Sequence, residues 1–214
     1  MTESAPLPLV EACEALLSEH GDTYLGVGWT KSQENTDVRY GVMLDLIRRR
    51  TEPVSLLDFG CGTGHLLEYI RARGMDGIDY HGLDVSTPMI DTARAKFPGI
   101  DFRQLDVLAD DTDLPVYDYV VMNGLFTYRG PMSFEEAVAH WRRLLTAVMP
   151  HVGTGLAFNA SSPYVDWERD DLFHLPLSLA TDTVAQSPCP YFVVRHDYGL
   201  YETTVYAYRT IGSS

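Results

Sequence analysis

The sequence predicts an α/β fold: a seven-stranded sheet with strands one to six parallel and the seventh antiparallel, helices on both faces and an N-terminal helical cap. Three observations lead there. From Pro53 onward, short runs rich in β-branched and aromatic residues alternate with amphipathic helical windows, the pattern of strand–helix crossovers in a parallel sheet. The last two such runs are joined only by His196-Asp-Tyr-Gly-Leu-Tyr-Glu202, too short for a helical crossover, so they form an antiparallel hairpin. The residues before Pro53 lack the strand pattern and read as helix.

Taken in order, Pro6 to Glu19 carries Leu9, Val10, Cys13, Leu16 and Leu17 at helical spacing, and Gly21-Asp22 stops it. After the bend Tyr24-Leu-Gly-Val-Gly-Trp29, Thr30-x-x-Gln33 matches a capping box, and Val38, Val42, Met43, Leu46 and Ile47 give the next helix its apolar stripe. Residues 1–52 are thus read as the cap and 53–214 as the core of one structural domain. Strands are expected at 54–59, 80–84, 100–104, 117–122, 154–159, 191–196 and 202–208. One helix follows Gly64 with Leu66, Leu67 and Ile70 inward. A second is capped by Ser86, buries Met89, Ile90, Ala93 and Phe97, and ends at Pro98-Gly99. A third opens with the box Ser133-x-x-Glu136, buries Ala137, Trp141, Leu144, Leu145 and Val148, and stops at Pro150.

Composition narrows the function. The 214 residues hold 16 Lys+Arg against 30 Asp+Glu, a net charge of −14, with 45% hydrophobic and 11% aromatic residues: a globular chain, neither disordered nor collagen-like. No apolar run approaches the roughly 18–20 residues of a spanning helix, and Glu3 and Glu11 stand where a secretion signal needs basic charge and then apolar sequence, so a cytoplasmic location is expected. Nucleic-acid binders cluster Lys and Arg against phosphates. Here the one basic run, Arg48-Arg49-Arg50, ends a helix, where cations favour the dipole. Cys13, Cys61 and Cys189 are far apart and form no C-x-x-C pair, which predicts reduced thiols and no metal site.

The strongest chemical signal is Leu57-Asp58-Phe59-Gly60-Cys61-Gly62-Thr63-Gly64-His65, after an apolar strand and before a helix, where a ligand can lie on bare backbone. A phosphate loop requires G-x-x-x-x-G-K-[ST], and no Lys follows these glycines. The dinucleotide fingerprint G-x-G-x-x-G would put its third glycine at His65, where close helix–strand packing wants no side chain.

What remains, D-x-G-x-G-x-G, resembles the first motif of the class I S-adenosylmethionine (SAM) dependent methyltransferases, whose Rossmann-like fold it implies. The resemblance runs from Pro53 to the C-terminus. It implies that Asp58, Gly60, Cys61, Gly62 and Gly64 lie under the cofactor's amino-acid portion. Asp84, followed by Val85, would accept the ribose hydroxyls, and Asp106, followed by Val107, the adenine amino group. Asn123, after Tyr117-Asp-Tyr-Val-Val-Met122, would face the reactive methyl. The physics agrees: SAM carries a sulfonium and no phosphate, so a lysine-free loop beside three carboxylates suits it better than ATP.

In an open parallel sheet the site lies beyond the carboxyl ends of the strands. The loop from Asn123 to Pro131 lacks the D/N-P-P-Y sequence of the family's nucleobase and glutamine amino methylators, which argues against an exocyclic amine on DNA as acceptor; a soluble small molecule is expected. The 159–174 loop and the hairpin tip, with the N-terminal GVGW and Arg39-Tyr40, the Asp166-Trp167 region and DYGLYE, resemble a subgroup of small methyltransferases of polysaccharide and natural-product pathways. That resemblance adds Trp29 and Arg39 on the cofactor side, and Tyr128, Arg129, Asn159, Tyr164, Asp166, Trp167 and Tyr198 on the acceptor side. Were the acceptor protonated, His174 or His196 would be the candidate base, His196 with Asp197 beside it. A non-catalytic SAM-binding partner and, more remotely, an NAD-dependent oxidoreductase stay open on sequence alone, as does the oligomeric state.

Overall fold

A computed structural model describes residues 7–29, 32–48, 52–109 and 113–211 of the chain. Glu3, Pro6, Thr30, Arg49 and Arg50, which entered the sequence reading, lie outside the described residues. In chain order the elements are α1 (Leu7–His20), α2 (Gln33–Leu44), β1 (Val54–Phe59), α3 (His65–Ala72), β2 (Ile78–Asp84), α4 (Thr87–Lys96), β3 (Asp101–Gln104) and β4 (Tyr117–Phe126). There follow α5 (Phe134–Val148) with a 3-10 turn at Met149–His151, β5 (Val152–Ser161), α6 (Leu177–Ala185), β6 (Tyr191–Arg195) and β7 (Glu202–Tyr208).

The seven strands form one sheet in the order β3-β2-β1-β4-β5-β7-β6. Strands β1 to β5 pair in parallel; β7 runs antiparallel between β5 and β6, and β6 is left as the edge, its Tyr191, Phe192 and Val193 partly exposed. All seven residues of β7 are buried, as an interior strand covered on both faces requires. Alternation along the strands sorts the core into two layers. Leu57, Val120, Met122, Leu156, Phe158 and Val205 pack with α5 and α6. On the other face, Leu56, Tyr119, Val121, Ala157 and Tyr206 pack with α2, α3 and α4.

The predicted capping box of α5 forms: Ser133 Oγ accepts from the Glu136 amide at 3.2 Å and Glu136 Oε2 from the Ser133 amide at 2.7 Å. Trp141 and Val148 on its inward stripe are fully buried. The box expected at Thr30-x-x-Gln33 is corrected. Helix α2 begins at Gln33, and Ser32 Oγ caps it through the Asn35 amide at 3.2 Å. Residues 7–44 also divide in two. Helix α2 buries Tyr40, Val42, Met43 and Leu44 in the sheet layer, whereas α1 has no buried residue and rests on α4. The basic run expected to end this helix is corrected: α2 ends at Leu44, and Arg48, beyond that end, stacks on the Tyr208 ring at 3.5 Å.

Candidate functional site

Asp58, Asp84 and Asp106 stand at or just beyond the carboxyl ends of β1, β2 and β3. The loop after β1 is tied to the end of β2 by the amides of Gly60 and Cys61, which both donate to the Leu83 carbonyl at 2.7 and 3.0 Å. Two of its glycines are required by geometry. Gly62 has φ +53°, and Val27 and the Met89 sulfur stand 3.7 and 3.9 Å from where a Cβ would be. Gly64 has φ +84°, and a Cβ there would press to 3.1 Å on Phe97 and Phe102, so this glycine sets the approach of α3 to the sheet.

Asp84 closes the loop from the other side: Oδ2 accepts from the Gly62 amide and Oδ1 from the Ser86 amide, both at 2.9 Å. Each carboxylate oxygen has a second lone pair, so one hydroxyl apiece can still be accepted. Burial pushes the Asp84 carboxyl up, against the backbone bonds that pull it down. Asp58, 3% exposed at the end of β1, accepts from Tyr80 Oη at 2.7 Å. Burial and, after it, the Asp84 charge push its carboxyl up to about 7, although the Tyr80 bond opposes this. Asp106 Oδ1 accepts from the Leu108 amide at 2.9 Å, Val107 is buried beside it, and the Val85 carbonyl accepts from Gln104 Nε2 at 2.9 Å.

The glycine loop and Asp58 border a cleft of about 370 Å³, its open mouth included, lined among others by Val27, Trp29, Asp58, Gly60, Gly62 and Asn123, with Asp84 behind it on the Gly62 amide. Asn123 Oδ1 is buried there with no partner among the described residues. One carboxyl and an orphan carbonyl in the wall, with a second carboxyl behind the loop and no lysine among the lining residues, fit a cationic, hydroxyl-bearing ligand and not a phosphate. The N-terminal segment lies over it. Ser86 Oγ donates to Glu14 Oε1 at 2.8 Å, and Asp22 takes hydrogen bonds from Thr63 (2.6 Å), His65 (2.8 Å) and Lys96 (2.7 Å). Partial burial would raise the Asp22 carboxyl, but these partners, Lys96 foremost, hold it below the usual range.

On the acceptor side the predicted residues divide. Tyr128, Tyr164 and Trp167 are exposed aromatics, with Trp167 edge-on to Tyr201, an exposed ring outside the predicted set, and Tyr164 tilted against His196. Asp166 is exposed. Others are engaged within the fold. Arg39 pairs with buried Glu202, Asn159 bridges Glu202 and the Gly124 amide, Arg129 donates to the Met132 carbonyl, and Tyr198 bonds Thr204 at 3.0 Å. Asp197 is corrected as a partner for His196: it pairs with Arg195 at 2.6 Å. Both histidines instead meet Ser162. His196 Nε2 lies 3.0 Å from its hydroxyl, and His174 Nδ1 is 2.7 Å from its carbonyl. Glu14, Asp22, Tyr80, Ser162 and Glu202 were missed by sequence reasoning. Only Glu202 left a signal, as the one charged residue in the apolar run ETTVYAY.

The methyltransferase domain family matches residues 57–147, from β1 to α5. A Mycobacterium tuberculosis (strain ATCC 25618 / H37Rv) protein, Rv1506c, named as a methyltransferase, is 35% identical over 159 residues, spanning 72% of this chain and 92% of its own. The chain belongs to the methyltransferase family. The fold of this methyltransferase is also that of the Synechocystis PCC 6803 magnesium protoporphyrin IX methyltransferase crystallised with bound SAM. That likeness has a TM-score of 0.62 at 15% identity and covers 97% of this chain and 100% of that one. The sugar N-methyltransferase KedS8 of Streptoalloteichus sp. ATCC 53650 aligns with a TM-score of 0.59 at 17% identity, over 97% and 94% of the two chains. Among the described residues, no helix of this methyltransferase is long and apolar enough to cross a membrane.

Proposed function

We propose that this methyltransferase takes its methyl group from SAM and places it on a soluble small molecule of natural-product or sugar type, with S-adenosylhomocysteine (SAH) leaving. The observation that carries this reading is the placement of Asp58, Asp84 and Asp106 at the ends of three neighbouring strands around a lysine-free glycine loop. Asp84 would hold the ribose hydroxyls, Asp106 the adenine amine, and Asp58 with the Gly60–Gly64 backbone the amino-acid end. When bound, SAM supplies an electrophilic methyl carbon. The chain's part is to align the acceptor for in-line attack at near-contact distance, a large share of such rate enhancements.

The exposed rings of Tyr128, Tyr164, Trp167 and Tyr201 supply the acceptor with flat apolar faces. His174 is the base when the acceptor arrives protonated, and His196 flanks it through Ser162. Of residues 1–52, read as the cap, α1 and the loop to Trp29 cover the site through Glu14, Asp22 and Trp29 while α2 anchors them in the sheet layer, and the enzyme works in the cytoplasm. A net charge of −14 disfavours nucleic acid as acceptor. The deciding experiment incubates the protein and SAM with a metabolite extract. One component should gain a single methyl group as SAH forms; binding of SAM without SAH formation in any extract would leave a SAM-binding protein that transfers nothing.

A further inference from the structure

Glu202 opens β7 only 7% exposed, and a carboxylate this far from water is costly unless it is paired and hydrogen-bonded. Its two oxygens serve different partners. Oε1 accepts from Arg39 Nε at 2.7 Å and from Arg39 Nη2; Oε2 accepts from Asn159 Nδ2 at 2.7 Å. The other end of the Asn159 amide, Oδ1, accepts from the Gly124 amide at 2.7 Å. A backbone N–H can only donate, which fixes the direction in which the Asn159 side chain faces. Gly124 has φ +83°, and a Cβ there would come within 2.8 Å of the Trp29 indole, so the ring lies against its bare Cα. The Arg39 guanidinium in turn sits 4.5 Å from the centroid of that indole.

The contacts close on themselves: Arg39, Glu202, Asn159, Gly124, Trp29 and back to Arg39, drawn from α2, β7, β5, β4 and the N-terminal loop. Trp29 and Asn123, the residue before Gly124, both line the cleft. We propose that Glu202 is a positioning residue for the cofactor, acting through Arg39 on the pose of Trp29 and through Asn159 and Gly124 on that of Asn123. This rests on the SAM reading above.

The polarity of the ring makes the proposal testable. In Glu202→Gln the new NH2 group faces a donor whichever way it turns, either the guanidinium or Asn159 Nδ2. Flipping Asn159 only moves the conflict to the Gly124 N–H. In the double variant Glu202→Gln/Asn159→Asp every donor again meets an acceptor. The introduced glutamine turns its carbonyl oxygen to Arg39 and donates its NH2 to the introduced carboxylate, whose other oxygen accepts from the Gly124 amide; the net charge is unchanged. SAH affinity is measured by calorimetry at a temperature where circular dichroism shows each variant folded. Glu202→Gln should weaken SAH binding at least about tenfold, and the double variant should return to within about threefold of the parent, as restored charge-assisted bonds require. Unchanged SAH affinity in folded Glu202→Gln, or no recovery in the double variant, would overturn the proposal. If Glu202→Gln does not fold, Trp29→Ala, which leaves the ion pair intact, takes its place; an unchanged affinity there overturns it equally. Failure of the parent protein to bind SAM or SAH would instead overturn the cofactor reading.

Discussion

His174 and Ser162 fix each other's hydrogen-bond roles: the Ser162 carbonyl, which can only accept, lies 2.7 Å from His174 Nδ1, so that nitrogen carries the proton. In the neutral ring Nε2 is therefore a bare lone pair, and it is buried without a partner among the described residues. His196 differs: its Nε2 is already occupied by the Ser162 hydroxyl, and its ring is exposed. With the acceptor identified, His174→Ala should lower turnover by about 10²–10⁴-fold while SAM affinity stays nearly constant, and His196→Ala should do less. Equal, normal turnover of both variants would mean an acceptor that needs no base.

Asp84→Ala should weaken SAM binding by about 1.5–3 kcal/mol, roughly tenfold to over a hundredfold, since the ribose loses a charged acceptor. The amides of Gly62 and Ser86 lose their partner too, so the glycine loop loosens with it. Calorimetry reads both effects: an unchanged affinity would show that the ribose binds elsewhere.

Gly62→Val should abolish SAM binding while the core stays folded. A β-branched side chain resists φ +53° and stands between Val27 and Met89 at the cleft wall. Its neighbour Cys61 also lines the cleft but carries its sulfur close to Gly82, and Cys61→Ala should bind SAM as the parent does. The pair of variants separates a cradle of bare backbone from a merely tight loop.

The pH dependence follows from Asp58. Its carboxyl is pushed up to about 7 in the folded chain from an ordinary value of 3.8. Because the folded value is raised, its stabilising contribution is full below 3.8 and is lost as pH rises through about 7. The ligand-free protein should therefore lose thermal stability across that window more steeply than Asp58→Asn. Each ~1 kcal/mol appears as roughly 2–4 °C in a chain this size. Asp22, held low, acts only below 3.8 and in the opposite sense, so the two do not overlap. A cationic ligand favours the ionised carboxyl, so SAM affinity should rise between about pH 6 and 8 in the parent and not in Asp58→Asn. Parallel melting curves for the two proteins would show Asp58 ionised throughout.

Much of this was readable in the chain because it is local. Strands β1 and β7 fall at the expected residues, the α5 box forms, and the glycine loop and its three aspartates stand where strand ends were expected. Helix α6 was missed for want of a local signal: Pro176 caps it without a side-chain bond, and only Ala180 and Val184 of its nine residues are buried. Strands β4 and β5 run past their expected ends, to Phe126 and Ser161, because pairing with neighbours continues where hydrophobic patterning has stopped. The Ser32 cap was hidden by a Thr two residues earlier in a matching frame. The roles of Arg39, Asn159 and Asp197 depended on partners remote in sequence or on side-chain direction along a strand, which no spacing rule encodes.

The order of the sheet also bears on how the chain acquires its shape during synthesis. Strand β7, last of the seven to leave the ribosome, lies inside the sheet, and β6, made before it, has no other strand to pair with. Until β7 emerges, β5 presents an open edge and the exposed Tyr-Phe-Val run of β6 is unanchored, a combination that invites association with other nascent chains. A released chain that ends between residues 196 and 202, with β6 but without β7, should therefore be aggregation-prone.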